Sequence, residues 1–319
     1  MGASRRAGRN TEGFALASRT VTSDAAVAKL LLLAQSFCWG LSWTAMRVAL
    51  DEVSPWTMRF LGFSIGAATL VVLLKAQHRS LLLPSGRDLL HALVSGLIIV
   101  LSFGFAATFA QLLASTSRVI IVNYSMPVWG SVMAYFVLHE RINARAAAGL
   151  ALCIAGLGVL LYPLTQESTQ EPLGIVLALV GSLGWAASSV YMKWARIKGD
   201  LLAAALWQMV VGIVIFGASY LVFNGQPEIA PLQWRTWGGI LFNGIFGTGI
   251  AYFLWFMIIG RLTMAMASLG SLANPVVGVM GAAIILGDRP TVPDMIGFAL
   301  IFGAAACVLI PQRAPAQVH

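Results

Sequence analysis

Trp39 and Trp43 stand four residues apart, so a helix carrying them presents both on one face, and Trp185 with Ser189 repeats that spacing further along the chain. Ser42 and Ser188 lie beside them. An indole in apolar surroundings offers a flat face for stacking and an N–H that needs a partner. Pro127 and Pro275 are a second kind of feature. A proline inside a helix leaves the carbonyl four residues earlier without its donor, here Asn123 and Ser271. Such half-broken segments in corresponding places mark helix breaks or hinges, and their freed carbonyls need a neighbour, water or ligand. Tyr124, Met126 and Asn274 adjoin the prolines, and Tyr252 is a further aromatic deep in an apolar run. Indole faces, hydroxyls and Asn amides suit the noncovalent binding of a small zwitterionic or aromatic solute. The alternative is plain packing: tryptophans wedged between helices, and prolines at filled kinks.

Covalent chemistry finds little support. A nucleophile needs a base nearby, yet His78, His91 and His139 fall at loops or span edges, and no Ser–His or metal spacing is present. An intramembrane enzyme is therefore a distant alternative, and neither metal nor cofactor is expected. Cys38, Cys153 and Cys307 are isolated in apolar runs and form neither a metal set nor a disulfide framework. The acids, from Glu12 to Asp294, all fall in tails, loops or span ends. Membrane pumps that exchange protons usually hold a carboxylate inside a span, so no embedded coupling acid is expected. The deepest basic residues are Arg47, Arg59, Arg118 and Lys193. Most lie near enough to a helix end to snorkel, with Arg59 and Arg118 having the alternative of lining an outer vestibule.

The elements that carry these residues are apolar. Charged residues make up 10% of the chain, against about 25% for soluble domains, and hydrophobic ones 59%. Runs of about 20 apolar residues span a bilayer. Ten are expected, near 28–49, 54–75, 88–110, 115–138, 144–163, 173–195, 201–223, 236–260, 264–286 and 292–311. The fold class is thus an all-α, multi-pass integral membrane protein, with the lipid bilayer as partner and no separate soluble domain. Residues 1–27 read as a loose cytoplasmic tail and 312–319 as a second. Trp56, Trp194, Trp207, Trp234, Trp237, Tyr162 and Tyr220, near span ends, read as an aromatic belt. Gly62 and Gly66 form a GxxxG pair of the ordinary close-packing kind. The net charge of +8 is no nucleic-acid patch. With both termini in the cytoplasm, alternate loops place all the Lys and Arg inside except Arg47, Arg59, Arg118, Arg235 and Arg289, as the positive-inside rule requires.

The chain also repeats itself. Shifted by 148, residues 127–163 fall on 275–311: Pro127 on Pro275, Gly130 on Gly278, Leu138 on Leu286, Arg141 on Arg289 and Gly149 on Gly297. Glu140 meets Asp288. The first spans correspond at an offset of 146, Ser36, Trp39, Ser42 and Arg47 matching Ser182, Trp185, Ser188 and Lys193. The expected organisation is a five-helix repeat over 28–163, an external linker over 164–172 and a second repeat over 173–311. An odd number of crossings between the copies inverts the second. Inverted repeats build alternating-access transporters with a site at mid-bilayer; an old duplication without transport is the alternative.

The segments "PVWGSVMAYFVLHERINARAAAGLAL" and "PVVGVMGAAIILGDRPTVPDMIGFAL", with the paired five-span halves, resemble the drug/metabolite transporter superfamily and its EamA-type repeat. Within it, "VNYSMP" and "GWAASSVYMKWA" are similar to the aromatic amino-acid exporters of the YddG type. That resemblance implies a central cavity lined by aromatics of the first, fourth and sixth spans, here Trp39, Tyr124 and Trp185. Met126 departs from it, since a tryptophan usually precedes the proline. A smaller, flexible Met there extends the expected range toward aliphatic or hydroxy amino acids. The expected function is export of neutral amino acids across the plasma membrane, a bacterial inner membrane for the YddG type. Trp39, Trp43, Tyr124 and Trp185 would give stacking contact, with Trp39 and Trp185 facing one another across the substrate. Asn123, Asn274, Ser42, Ser188 and Ser271 would meet its ammonium and carboxylate. A nucleotide sugar or cationic drug is the nearer rival; the first would call for several inward bases and the second for a buried acid. Neither the sequence nor the resemblance fixes an oligomeric state, and a monomer suffices for the expected cavity.

Overall fold

The computed structural model describes residue 27 and residues 30–140, 144–162, 171–223, 231–259 and 272–309, and every regular element among them is helical. Helix α1 covers residues 30–49. It is followed by α2 (Pro55–Ala76), α3 (Gly86–Leu113), α4 (Thr116–Leu138), α5 (Ala144–Leu161), α6 (Glu171–Ala195), α7 (Leu201–Phe223) and α8 (Trp234–Trp255, helical on to Ile259). Two shorter apolar helices close the described chain, α9 (Ala273–Leu286) and α10 (Val292–Leu309). Seven described helices, α2 to α8, are long and apolar enough to cross a membrane. At about 1.5 Å per residue, a 22-residue helix such as α2 covers the roughly 30 Å hydrocarbon core. The expected tails and most of the 164–172 linker lie outside the described residues.

Local chemistry sets the helix ends. Ser54 caps α2, accepting from the Thr57 N–H at 3.2 Å just before Pro55, and Ser85 caps α3 through the Asp88 N–H at 3.1 Å. α4 is interrupted where Pro127 predicts a break: a first piece ends at Asn123, Tyr124 and Ser125 form a turn, and a second piece starts at Met126. Pro275 likewise sits in the first turn of α9. The two segments also end alike. His139 at φ 55° and Gly287 at φ 74° each take the left-handed conformation, 148 positions apart. The next N–H reaches back each time, Glu140 to the Ala134 carbonyl and Asp288 to the Ala282 carbonyl, both at 3.3 Å. Helices α3 and α8 contain π-helical stretches, Val100–Gly104 and Phe242–Ile250.

Two pairs of helices that correspond under the repeat pack closely against one another. In α2 and α7 Phe63 stacks on Phe216 and Phe60 on Tyr220, with centroids 5.8 and 6.5 Å apart. α5 and α10 pack through glycine, since a Cβ on Gly156 would lie 2.8 Å from Ile301 and one on Gly297 2.6 Å from Leu160. Backbone approaches this close need small residues, the usual device of membrane helix interfaces. The GxxxG pair of α2 serves the same end against α8: a Cβ on Gly66 would lie 2.5 Å from Thr248.

Polar contacts gather at the helix ends. At one end Arg118 bridges Glu171 and Asp294, bonding the latter at 2.6 Å, and Ser117 donates to Asp288. Arg118 thereby ties α4 to α6 and α10 rather than lining a vestibule. At the other end Arg79 forks onto Asp200 at 2.6 and 2.7 Å, Lys193 meets Glu140, and Asp88 accepts from the Lys198 N–H.

Candidate functional site

The interrupted stretches of α3, α4 and α8 border a cavity of about 120 Å³, part of it open to solvent. Eight expected residues stand on its wall: Trp39, Ser42, Trp43, Asn123, Tyr124, Met126, Trp185 and Tyr252.

The aromatic side is a contiguous cluster. Trp39 meets Trp185 edge-to-face with centroids 6.4 Å apart, Tyr252 at 5.9 Å and Trp255 at 6.0 Å. Trp185 in turn touches Tyr252 at 6.2 Å and Phe103 at 5.0 Å, and Phe103 meets Trp43 at 5.8 Å. The expectation that Trp39 and Trp185 face one another across a substrate is therefore corrected. Their rings are in contact, leave no room for a solute between them, and form one wall.

The polar side is built differently from the expectation. Ser188 is buried and off the cavity. It bonds Ser95 at 2.7 Å, and Ser95 accepts from the Gln208 amide at 3.1 Å, so Gln208 reaches the cavity in its place. Asn274 is also buried and off the cavity wall. The prolines shape the break without lining it, and Ser271 lies outside the described residues. Asn243 joins the wall from the π stretch of α8, its amide donating to the Ser42 carbonyl at 3.0 Å. Ser42 itself bonds the Trp39 carbonyl at 2.7 Å. Arg59 lines the cavity too, where the sequence offered snorkelling or a vestibule. Its Nε donates to the Gly104 carbonyl at 3.1 Å and to the Thr108 hydroxyl.

Phe103, Gln208, Asn243 and Arg59 were thus missed or misplaced by sequence reasoning. A signal existed for three of them. A polar or ionisable side chain inside an apolar span is by default a site candidate. Among the described residues, none on the cavity wall forms a nucleophile–base pair. What the surface can do is hold a small solute between a ring cluster and a few amides, hydroxyls and one guanidinium.

Known proteins agree with this architecture. A Bacillus subtilis protein, the uncharacterized transporter YoaV, is 24% identical over 85% of this chain and 92% of its own. A probable amino-acid metabolite efflux pump of Escherichia coli is 24% identical over 82% of this chain and 88% of its own. One solved crystal structure superposes with a TM-score of 0.63 at 22% identity, covering 88% of this chain and 96% of that one, which supports the fold. The EamA-like transporter family matches residues 27–162 and again 172–310. A multi-pass helical membrane protein with a cavity among its helices, matched over most of its length, this chain belongs to the EamA-like transporter family.

Proposed function

We propose that this transporter exports neutral amino acids, aromatic ones among them, by alternating access. The observation that carries the reading is the composition of the cavity wall: a cluster of Trp39, Trp185 and Tyr252 beside the amides of Asn123, Gln208 and Asn243. Aromatic rings hold apolar side chains by stacking, and amides serve both ends of a zwitterion. Among the lining residues there is no Asp or Glu to attract a cationic compound, and one base is too few for a nucleotide sugar's phosphates. The name of the Escherichia coli relative points the same way.

The same reading takes the chain to cross the membrane ten times, as two inverted five-helix halves with both termini in the cytoplasm. The alternating Lys/Arg distribution and the matching ends of α4 and α9 support it. Single cysteines replacing Arg141 and Arg289 should then react with an impermeant reagent from opposite sides. Labelling of both from one side would remove the inverted arrangement.

Transport into liposomes, with a panel of amino acids as competitors, tests the substrate. Phenylalanine, tryptophan, methionine and threonine should compete. Competition by organic cations or nucleotide sugars alone would overturn the reading.

A further inference from the structure

Arg59 is fixed from behind and free in front. Its Nε is spent on the Gly104 carbonyl and the Thr108 hydroxyl, at the end of the π stretch of α3. Bulges of this kind recur at functional sites because they present backbone groups outside the regular ladder. The guanidinium lies 6.0 Å from the centre of the Phe103 ring, which is also part of the aromatic wall. Its Nη2 is buried without a hydrogen-bond partner. Arg47, Arg79, Arg118 and Lys193 each hold a carboxylate. Among the described residues Arg59 holds none, and no acid lines the cavity with it. An uncompensated guanidinium in a low-dielectric site is costly, and its planar fork matches a carboxylate better than any other common anion but phosphate.

We infer that Arg59 is the carboxylate-recognising residue of the cavity, pairing with the solute's carboxylate while the solute's side chain lies on the Trp39–Trp185–Tyr252 wall. The inference deepens the proposed amino-acid transport and takes its solute class from it. Thr108 and the Gly104 carbonyl act as positioning groups, holding the guanidinium so that its outer nitrogens meet the anion. An amine-bearing compound without a carboxylate leaves Arg59 unpaired and is rejected.

The purified full-length protein in lipid nanodiscs provides the test, read by quenching of its tryptophan fluorescence. The probes are phenylalanine, phenylpropionate (no amine), phenylalaninamide and phenylethylamine (no carboxylate). The first two should bind and the last two should bind at least about tenfold more weakly. Arg59→Gln should erase that difference by weakening the two carboxylates about tenfold or more. Arg59→Lys should restore part of it, because charge returns without the fork. Thr108→Val should weaken the carboxylates by a smaller factor and leave the amide unchanged. If all four compounds bind the wild type alike, or if Arg59→Gln shifts all four equally, the inference is wrong. Should Arg59→Gln fail to fold, the wild-type comparison with Arg59→Lys and Thr108→Val decides by the same criteria. Arg59-dependent binding of carboxylates without any amino-acid transport in liposomes would sink the proposed function and leave this inference standing. Amino-acid transport with unchanged selectivity in Arg59→Gln would do the reverse.

Discussion

The indole of Trp39 meets that of Trp185 nearly at right angles, 87° between planes and 6.4 Å between centroids, joining α1 to its counterpart α6. Each ring is thus a contact for the other as well as part of the cavity wall. Edge-to-face pairs contribute about 0.5–1.5 kcal/mol beyond the area they bury. Trp39→Ala or Trp185→Ala should weaken the apparent affinity for phenylalanine about three- to tenfold. The double mutant should lose less than the product of the two, because the second deletion removes a ring that has already lost its neighbour. Threonine, too small to cover both rings, should be affected less. Trp234→Ala, at an 82% exposed position, is the control and should transport as the wild type does. Equal losses in control and cavity mutants would make these tryptophans mere helix packing.

The Arg118 bridge differs from the Lys193–Glu140 pair in burial, and so should the consequences of cutting them. Asp294 retains 5% side-chain exposure and Arg118 14%, against 65% and 50% for Lys193 and Glu140. Removing one partner of a buried pair leaves a charge uncompensated, whereas exposed pairs contribute little. Asp294→Ala should lower stability by about 2 kcal/mol or more, and Lys193→Ala by under about 1 kcal/mol. Thermal denaturation of both variants in one detergent would rank them, and the opposite order would refute the assignment.

Much of this was legible from the residues. The spans near 54–75 and 201–223 appear as helices Pro55–Ala76 and Leu201–Phe223, because long apolar runs bounded by Ser-Pro or Gly-Asp leave few alternatives. Trp39, Tyr124 and Trp185 reached the cavity wall by repeat and resemblance. Phe103 and Asn243 did not, because both lie in π stretches where the 3.6-residue period that reads a helical face is broken. Ser188 was placed in the cavity by its repeat partner Ser42, but Ser95 on α3 takes its hydroxyl. A repeat gives equivalent positions, not equivalent neighbours.

Gly184, next to Trp185, makes a sharp steric prediction. A Cβ there would fall 2.1 Å from the Ser102 Cβ, so α6 can lie against the π stretch of α3 only with glycine at this point. Gly184→Ala should destabilise by about 1–3 kcal/mol and alter the fluorescence of the neighbouring indole. Ser102→Ala should not rescue it, since the clash reaches the Cβ as well as the hydroxyl. Full rescue would show that the two helices are not so closely set.

Glu52 gives a pH prediction. The Thr236 hydroxyl and the Gln233 N–H bond its carboxylate and hold its pKa below the usual 4.5. A lowered folded pKa means stabilisation present above the unfolded value and lost as pH falls through the folded one. Wild type should therefore melt above Glu52→Ala at neutral pH, with the gap closing as the pH is lowered below 4.5. A gap that widened in acid would reverse the sign and exclude these bonds as its source.

Because no acid lines the cavity among the described residues, transport should respond little to a pH gradient. Liposomes loaded at several internal pH values would report it. A steep dependence abolished by Glu140→Gln or Asp288→Asn would locate proton coupling at the ends of α4 and α9 instead.

The π stretches have a consequence for comparing relatives. Each holds extra chain per turn, so everything beyond it is rotated relative to an uninterrupted helix, by about 100° for one residue. Val100–Gly104 and Phe242–Ile250 both sit where the cavity wall is made. A relative lacking one residue in either stretch would turn a different stripe of side chains toward the solute while leaving the rest of the helix nearly unchanged in composition. In an alignment that change is a single gap, easily dismissed as noise between distant sequences. Here it would mark the exchange of one binding surface for another, accomplished by phase rather than by substitution.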